Sequence, residues 1–219
     1  MTSDDSLTRN ETSDFLVSLV KLCSDLNGTT LVLGSPKQRR LPLAGFETAE
    51  ERFLQTLTPA LEVAQENGID ICIEPLPAPE ADFILTLDHA AKLSTRSGFN
   101  SATTILDVKS ASSESDTIPD LIKKNSKIIT HVHANDANRR GPGFGDVDFV
   151  PILRALTEIQ YTGYVSVEVF DYTPDPETIA RTEEASKTKC RVGADPPFSV
   201  HDLVDPTWRN TDCYRETVL

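Results

Sequence analysis

Five short runs along the chain are apolar or β-branched at nearly every position: TTLVLG (29–34), DICIEP (70–75), TTILDV (103–108), KIITHVHA (127–134) and GYVSVEVF (163–170). Runs of this length without alternation suit strands buried on both faces, as in a parallel sheet. Around them, helical patterns cover Ser13–Leu26, Ala49–Asn67, Thr86–Ser97, Ile118–Lys124, Phe149–Ile159 and Pro176–Lys187. Asn27-Gly28, Asn67-Gly68 and Thr162-Gly163 stop helices just before strands, where glycine can take the left-handed conformation. The strands recur about 25 to 40 residues apart with a helix in each interval. The predicted class is therefore α/β, with parallel strands, right-handed crossovers and surrounding helices.

Composition narrows the function. At 219 residues with 38% hydrophobic and 25% charged residues, the chain can bury one sizeable core. Its formal charge of −13 opposes phosphate backbones and anionic membranes, so nucleic acid and membrane are not expected partners. No apolar run approaches the roughly 20 residues of a membrane span. MTSDDSLTRN lacks the basic and apolar regions of a secretory signal, so a cytoplasmic location is expected. Cys23, Cys72, Cys190 and Cys213 show no ligand spacing and are expected to be reduced and structural.

Four polar residues stand at or near the C-terminal ends of consecutive strands: Glu74, Asp107, His133 and Glu168. In open α/β sheets and in barrels, those ends and the loops after them carry the chemistry. Asp107 alone also reads as a helix N-cap. Three carboxylates and an imidazole facing one centre cannot all be buried unpaired, and a divalent cation resolves the conflict. Oxygen-rich ligands with one nitrogen favour Mn²⁺ or Mg²⁺, with Co²⁺, Fe²⁺ or Zn²⁺ also compatible. His131 shares a strand face with His133, so one can ligate while the other packs beside it or contacts substrate. With a metal in place, two glutamates can remove and return the α-proton of a sugar carbonyl through an enediolate, which is epimerisation or aldose–ketose isomerisation. The loop after His133, NDANRRGPGFGD, offers Arg139 or Arg140 to a hydroxyl-rich or anionic substrate, and Gly141, Gly143 and Gly145 permit close backbone approach. It also reads as a flexible turn before the helix at 149–159.

The stretches IEP around Glu74, ILD around Asp107, HVHAND with NRRGPGFGDVDF, and YVSVEVF around Glu168 resemble the xylose isomerase-like TIM barrels, the superfamily of sugar phosphate isomerases and epimerases, over roughly Asp14 to Arg181. The resemblance implies a partial (β/α)8 TIM barrel whose five strands correspond to strands 4–8. By resemblance to the ketose 3-epimerase branch, the metal ligands fall on Glu74, Asp107, His133 and Glu168, with Glu74 and Glu168 also the catalytic acid/base pair. Arg139 matches a substrate-contacting arginine, and His131 is a further substrate-binding candidate. Many members read Asp-x-x-His where this chain reads Asp107-Val108-Lys109-Ser110. Lys109 then either replaces the missing substrate contact or faces solvent.

A complete barrel needs about 250 residues, so the chain is expected to be N-terminally truncated. Residues 1–13 read as an acidic flexible leader, 14–188 as the partial barrel domain, and 189–219 as an irregular tail. A partial barrel exposes strand edges and apolar surface, which favours a homo-oligomer and low stability of the isolated chain. The expected function is a metal-dependent sugar or sugar phosphate isomerase or epimerase, Mn²⁺ being the expected metal. A dehydratase of the same superfamily, or a non-catalytic fragment, is the alternative.

Overall fold

Parallel pairing of the apolar runs organises the first part of the chain. The computed structural model describes residues 1–170 and 190–191. The chain divides into two compact units, Met1–Ile105 and Leu106 onward.

In the first unit, β1 (Thr30–Leu33) pairs in parallel with β2 (Asp70–Ile73), Thr30 opposite Asp70. β2 pairs in parallel with β3 (Ala102–Asp107), Ile71 opposite Ala102, and β3 runs on into the second unit. The helices α1 (Ser6–Asp25), α2 (Phe46–Asn67) and α3 (Leu87–Ser97) separate the strands. α2 places Phe53, Leu57, Leu61 and Ala64 at helical spacing on one buried stripe, where they join Ile71, Ile73, Phe83 and Leu93 in the core. Phe53 and Phe83 meet edge to face, with ring centroids 5.9 Å apart. Gly68 ends α2 in the left-handed conformation at φ 66°, as its sequence context predicts.

In the second unit the end of β3 leads into a short helix α4 (Val108–Ala111), then α5 (Ile118–Lys124), β4 (Ile129–Ala134), α6 (Phe149–Glu158) and β5 (Tyr164–Val167). β4 and β5 are parallel, with His131 opposite Tyr164 and His133 opposite Ser166. α6 buries Phe149, Ile152, Leu153, Ala155 and Leu156. β6 (Cys190–Arg191) pairs with β5 in antiparallel fashion, a pairing that the all-parallel pattern of the five runs does not predict.

Several boundaries differ from the expected ones. α1 starts at Ser6 rather than Ser13, because the Asp5 carboxylate accepts hydrogen bonds from the Leu7 and Thr8 N–H groups and caps the helix early. The helix thereby takes in much of the segment read as a flexible leader. α2 likewise starts at Phe46 rather than Ala49. β5 ends at Val167 rather than continuing to Phe170. At two of the three helix stops the left-handed residue is not the glycine: Asn27 (φ 56°) and Gln160 (φ 56°) take that conformation. Gly163 is required for a different reason, since a Cβ there would stand 2.6 Å from the Thr130 carbonyl oxygen. Cys23 and Cys72 are buried, and the Cys72 Sγ lies 3.3 Å from the Thr103 hydroxyl. The expected helix Pro176–Lys187 and the tail, apart from the backbone of β6, lie outside the described residues.

No described helix is long and apolar enough to cross a membrane. α2 and α3 are tied by Glu50, which pairs with His89 and Lys92 at 3.0 Å each and with Arg96. Burial pushes the Glu50 carboxyl up, but Lys92, Arg96 and His89 outweigh it and hold the group below its ordinary value. A depressed carboxyl contributes stability above its unfolded pKa that is lost as pH falls through the folded one. Glu50→Gln is therefore expected to melt below the parent at neutral pH, with the gap closing below about pH 4; a pH-independent gap would contradict the pairing. Phe53→Ala, which removes a fully buried ring, is expected to cost about 3–5 kcal/mol by chemical denaturation.

Candidate active site

Three ionisable side chains of the second unit stand at or near the C-terminal ends of its strands. In the second unit Asp107 closes β3, His133 lies next to the end of β4, and Glu168 follows β5, aligned by a hydrogen bond from its N–H to the Ala134 carbonyl at 3.3 Å. The His133 Nδ1 stands 3.2 Å from Glu168 Oε2 and 3.8 Å from Asp107 Oδ2. Each of the three side chains offers a ligand atom, and these atoms lie within 4.8 Å of one another. Two carboxylates and one imidazole nitrogen form a donor set that suits a divalent cation with oxygen preference. Asp107 is almost wholly buried, whereas the Glu168 side chain keeps 32% of its exposure and so opens the cluster to solvent.

Asp107 is the helix N-cap that its position suggested, and its carboxylate also faces the cluster. Its Oδ1 accepts from the Ser110 N–H at 2.7 Å and caps α4, while its Oδ2 faces His133. Burial raises the Asp107 carboxyl, but contacts with His133, Ser110 and Asn135 outweigh it and hold the group below the usual carboxylate range. His131 is buried and packs edge-on against His133, ring centroids 5.2 Å apart. Burial first, and the neighbouring His133 second, push His131 down to about 4, so it is neutral at neutral pH.

One residue of this cluster has no counterpart among the predicted ones. Asn135, 0% exposed, accepts from the Lys109 N–H through Oδ1 at 2.8 Å. It donates through Nδ2 to Asp107 Oδ2 at 2.6 Å and to Glu168 Oε2 at 3.0 Å. Only its place next to the strand end carrying His133 could have pointed to it.

The loop after β4 is tied down by its own bonds. The Asp136 N–H donates to the Arg140 carbonyl at 2.7 Å, the Arg139 N–H to the Asp136 carbonyl at 2.8 Å, and the Val147 N–H to Asp136 Oδ2 at 3.3 Å. Gly145 is required there, since a Cβ would overlap the Asp136 carboxylate. Arg139 is exposed, with its guanidinium carbon 5.7 Å from the Phe170 ring centroid, and the Phe170 N–H donates to its carbonyl at 2.9 Å. Arg140 lies over Phe144 at 4.2 Å. Lys109 does not face solvent: it is buried, with Nζ 4.8 Å from the Phe170 centroid, because α4 turns it inward.

In the first unit Glu74 directly follows β2 and is buried. The fully buried Arg39 donates to the Glu74 and Leu33 carbonyl oxygens, holding the ends of β2 and β1 together. Burial lowers Arg39 to about 10 against the opposing charge of Glu74. The Glu74 carboxylate lies over Gly34, whose missing side chain makes room for it.

A family model described as xylose isomerase-like TIM barrel matches residues 1–188. The D-psicose 3-epimerase of Ruminiclostridium cellulolyticum is 30% identical over 120 residues, which are 55% of this chain and 41% of that protein. The 3-dehydro-D-guloside 4-epimerase of Escherichia coli is 28% identical over 129 residues, 59% of this chain and 49% of that protein. The chain thus spans less than half the length of these curated relatives. The crystal structure of D-psicose 3-epimerase with D-tagatose from Clostridium cellulolyticum H10 matches with a TM-score of 0.69 at 25% identity, covering 77% of this chain and 60% of that one. The fold is accordingly a partial α/β TIM barrel, as the family resemblance implies, and its parallel strands are those expected from the apolar runs.

Because a Cβ at position 34 would occupy the space of the Glu74 carboxylate, Gly34→Ala is expected to fold and to turn that carboxylate away. A crystal structure of the variant with Glu74 in its present place would contradict this.

Proposed function

The chain belongs to the xylose isomerase-like TIM barrel family, and we propose that it acts on a ketose sugar as a metal-dependent epimerase or isomerase. The observation that carries this reading is the convergence of Asp107, His133 and Glu168 at the strand ends, with ligand atoms within 4.8 Å. The activities of its relatives, D-psicose 3-epimerase and 3-dehydro-D-guloside 4-epimerase, support the choice of substrate class.

We assign the ligand set to Glu74, Asp107, His133 and Glu168, and Mn²⁺ is the proposed ion. A bound divalent cation would polarise the substrate carbonyl and stabilise negative charge on its oxygens. The protein's own groups handle the proton. Glu168, reachable from solvent, and Glu74, buried beside Arg39, are the proposed pair that takes the proton from the carbon next to the carbonyl and returns one. Return to the opposite face inverts that carbon and gives the epimer. Arg139 and Lys109, both close to Phe170, are the proposed contacts to substrate oxygens. His131, neutral and packed against His133, is proposed to hold that ring and to border the substrate.

The test is incubation of the Mn²⁺-supplemented chain with D-psicose and separation of the products. The expected result is the C3 epimer, with Glu168→Gln lowering the rate by about 10²–10⁴-fold. A dehydrated product would move the assignment to a dehydratase. Equal rates for parent and variant would refute the role of Glu168.

A further inference from the structure

We propose that Asn135 is a positioning residue that sets the spacing and orientation of Asp107 and Glu168 for the cation, a role that rests on the metal reading above. The hydrogen bonding leaves its amide one orientation. The Lys109 backbone N–H can only donate, so it takes Oδ1 at 2.8 Å and turns the NH₂ group towards the carboxylates. Each of the two amide hydrogens then has its own acceptor, Asp107 Oδ2 at 2.6 Å and Glu168 Oε2 at 3.0 Å.

The same two oxygens face His133 Nδ1, at 3.8 and 3.2 Å. Asn135 therefore grips the oxygens that meet the imidazole and fixes how far apart they stand. For Asp107 the result is a carboxylate held at both ends, Oδ1 by the Ser110 N–H and Oδ2 by Asn135. Glu168 has a longer side chain, partly open to solvent, and the bond from Asn135 ties its carboxylate to that of Asp107. A neutral donor suits this place: it bridges two like charges without adding a competing ligand charge, and at 0% exposure no bulk water substitutes for it.

Titration calorimetry with Mn²⁺ alone tests the proposal, combined with thermal melts of the metal-free chain. Asn135→Ala is expected to weaken Mn²⁺ binding by about tenfold to a hundredfold. Asn135→Ser, whose hydroxyl can donate one hydrogen, is expected to fall between the parent and the Ala variant. A lower metal-free melting temperature with unchanged Mn²⁺ affinity would give Asn135 a structural role only and overturn the proposal. Should the Ala variant not fold, the Ser variant decides, and parental affinity in it overturns the proposal. Failure of the parent itself to bind Mn²⁺ would instead refute the metal reading, and the role of Asn135 with it.

Discussion

Two carboxylates held against one imidazole set the terms for the rest of the site. Asp107 and Glu168 repel each other, and burying Asp107 almost completely adds a desolvation cost. The fold offsets this with fixed donors, the Ser110 N–H at the start of α4 and the Asn135 amide, and sets the His133 ring beside both carboxylates. These partners hold the Asp107 carboxyl ionised despite its burial. A site arranged this way is ready to receive positive charge, and the groups that hold it together without a cation are those that would orient its ligands.

The α/β repeat explains why the groups meet. Parallel strands buried on both faces must be apolar along their length, so polar side chains enter where the strands end. Asp107, His133 and Glu168 occupy those positions on β3, β4 and β5, and Glu74 occupies the matching position after β2 in the first unit. Loops after the strands then supply the remaining contacts. The loop after β4 is ordered by Asp136 and carries Arg139, while α4, begun by the Asp107 cap, turns Lys109 towards Phe170. Capping and the proposed ligation thus fall to opposite oxygens of one carboxylate.

Strands were the most legible part of the sequence, because short apolar runs between helical patterns leave little other choice, although β1 and β5 are only partly buried rather than covered on both faces. The four strand-end residues were legible for the same reason, as polar side chains interrupting or ending those runs. Asn135 was not, since a polar residue in a polar loop carries no pattern, and its role exists only where its neighbours converge on it. Lys109 was ambiguous: a lysine after a strand reads equally as a substrate contact or a surface residue, and only the turn of α4 shows it buried. The early start of α1 turned on the Asp5 cap among several nearby acidic and hydroxyl residues, each a candidate from sequence alone. At Gln160 a residue without special backbone freedom took the left-handed turn that the nearby glycine seemed to offer, while Gly163 was reserved for close approach to Thr130.

The proposed reaction moves a proton at the carbon next to a sugar carbonyl. Its most direct test is proton NMR of D-psicose incubated in D₂O with the Mn²⁺-supplemented chain. Deuterium is expected at C3 of both the recovered sugar and its epimer, dependent on the metal and lost in Glu168→Gln. Epimer formed without deuterium at C3, or exchange that persists unchanged in Glu168→Gln, would contradict it.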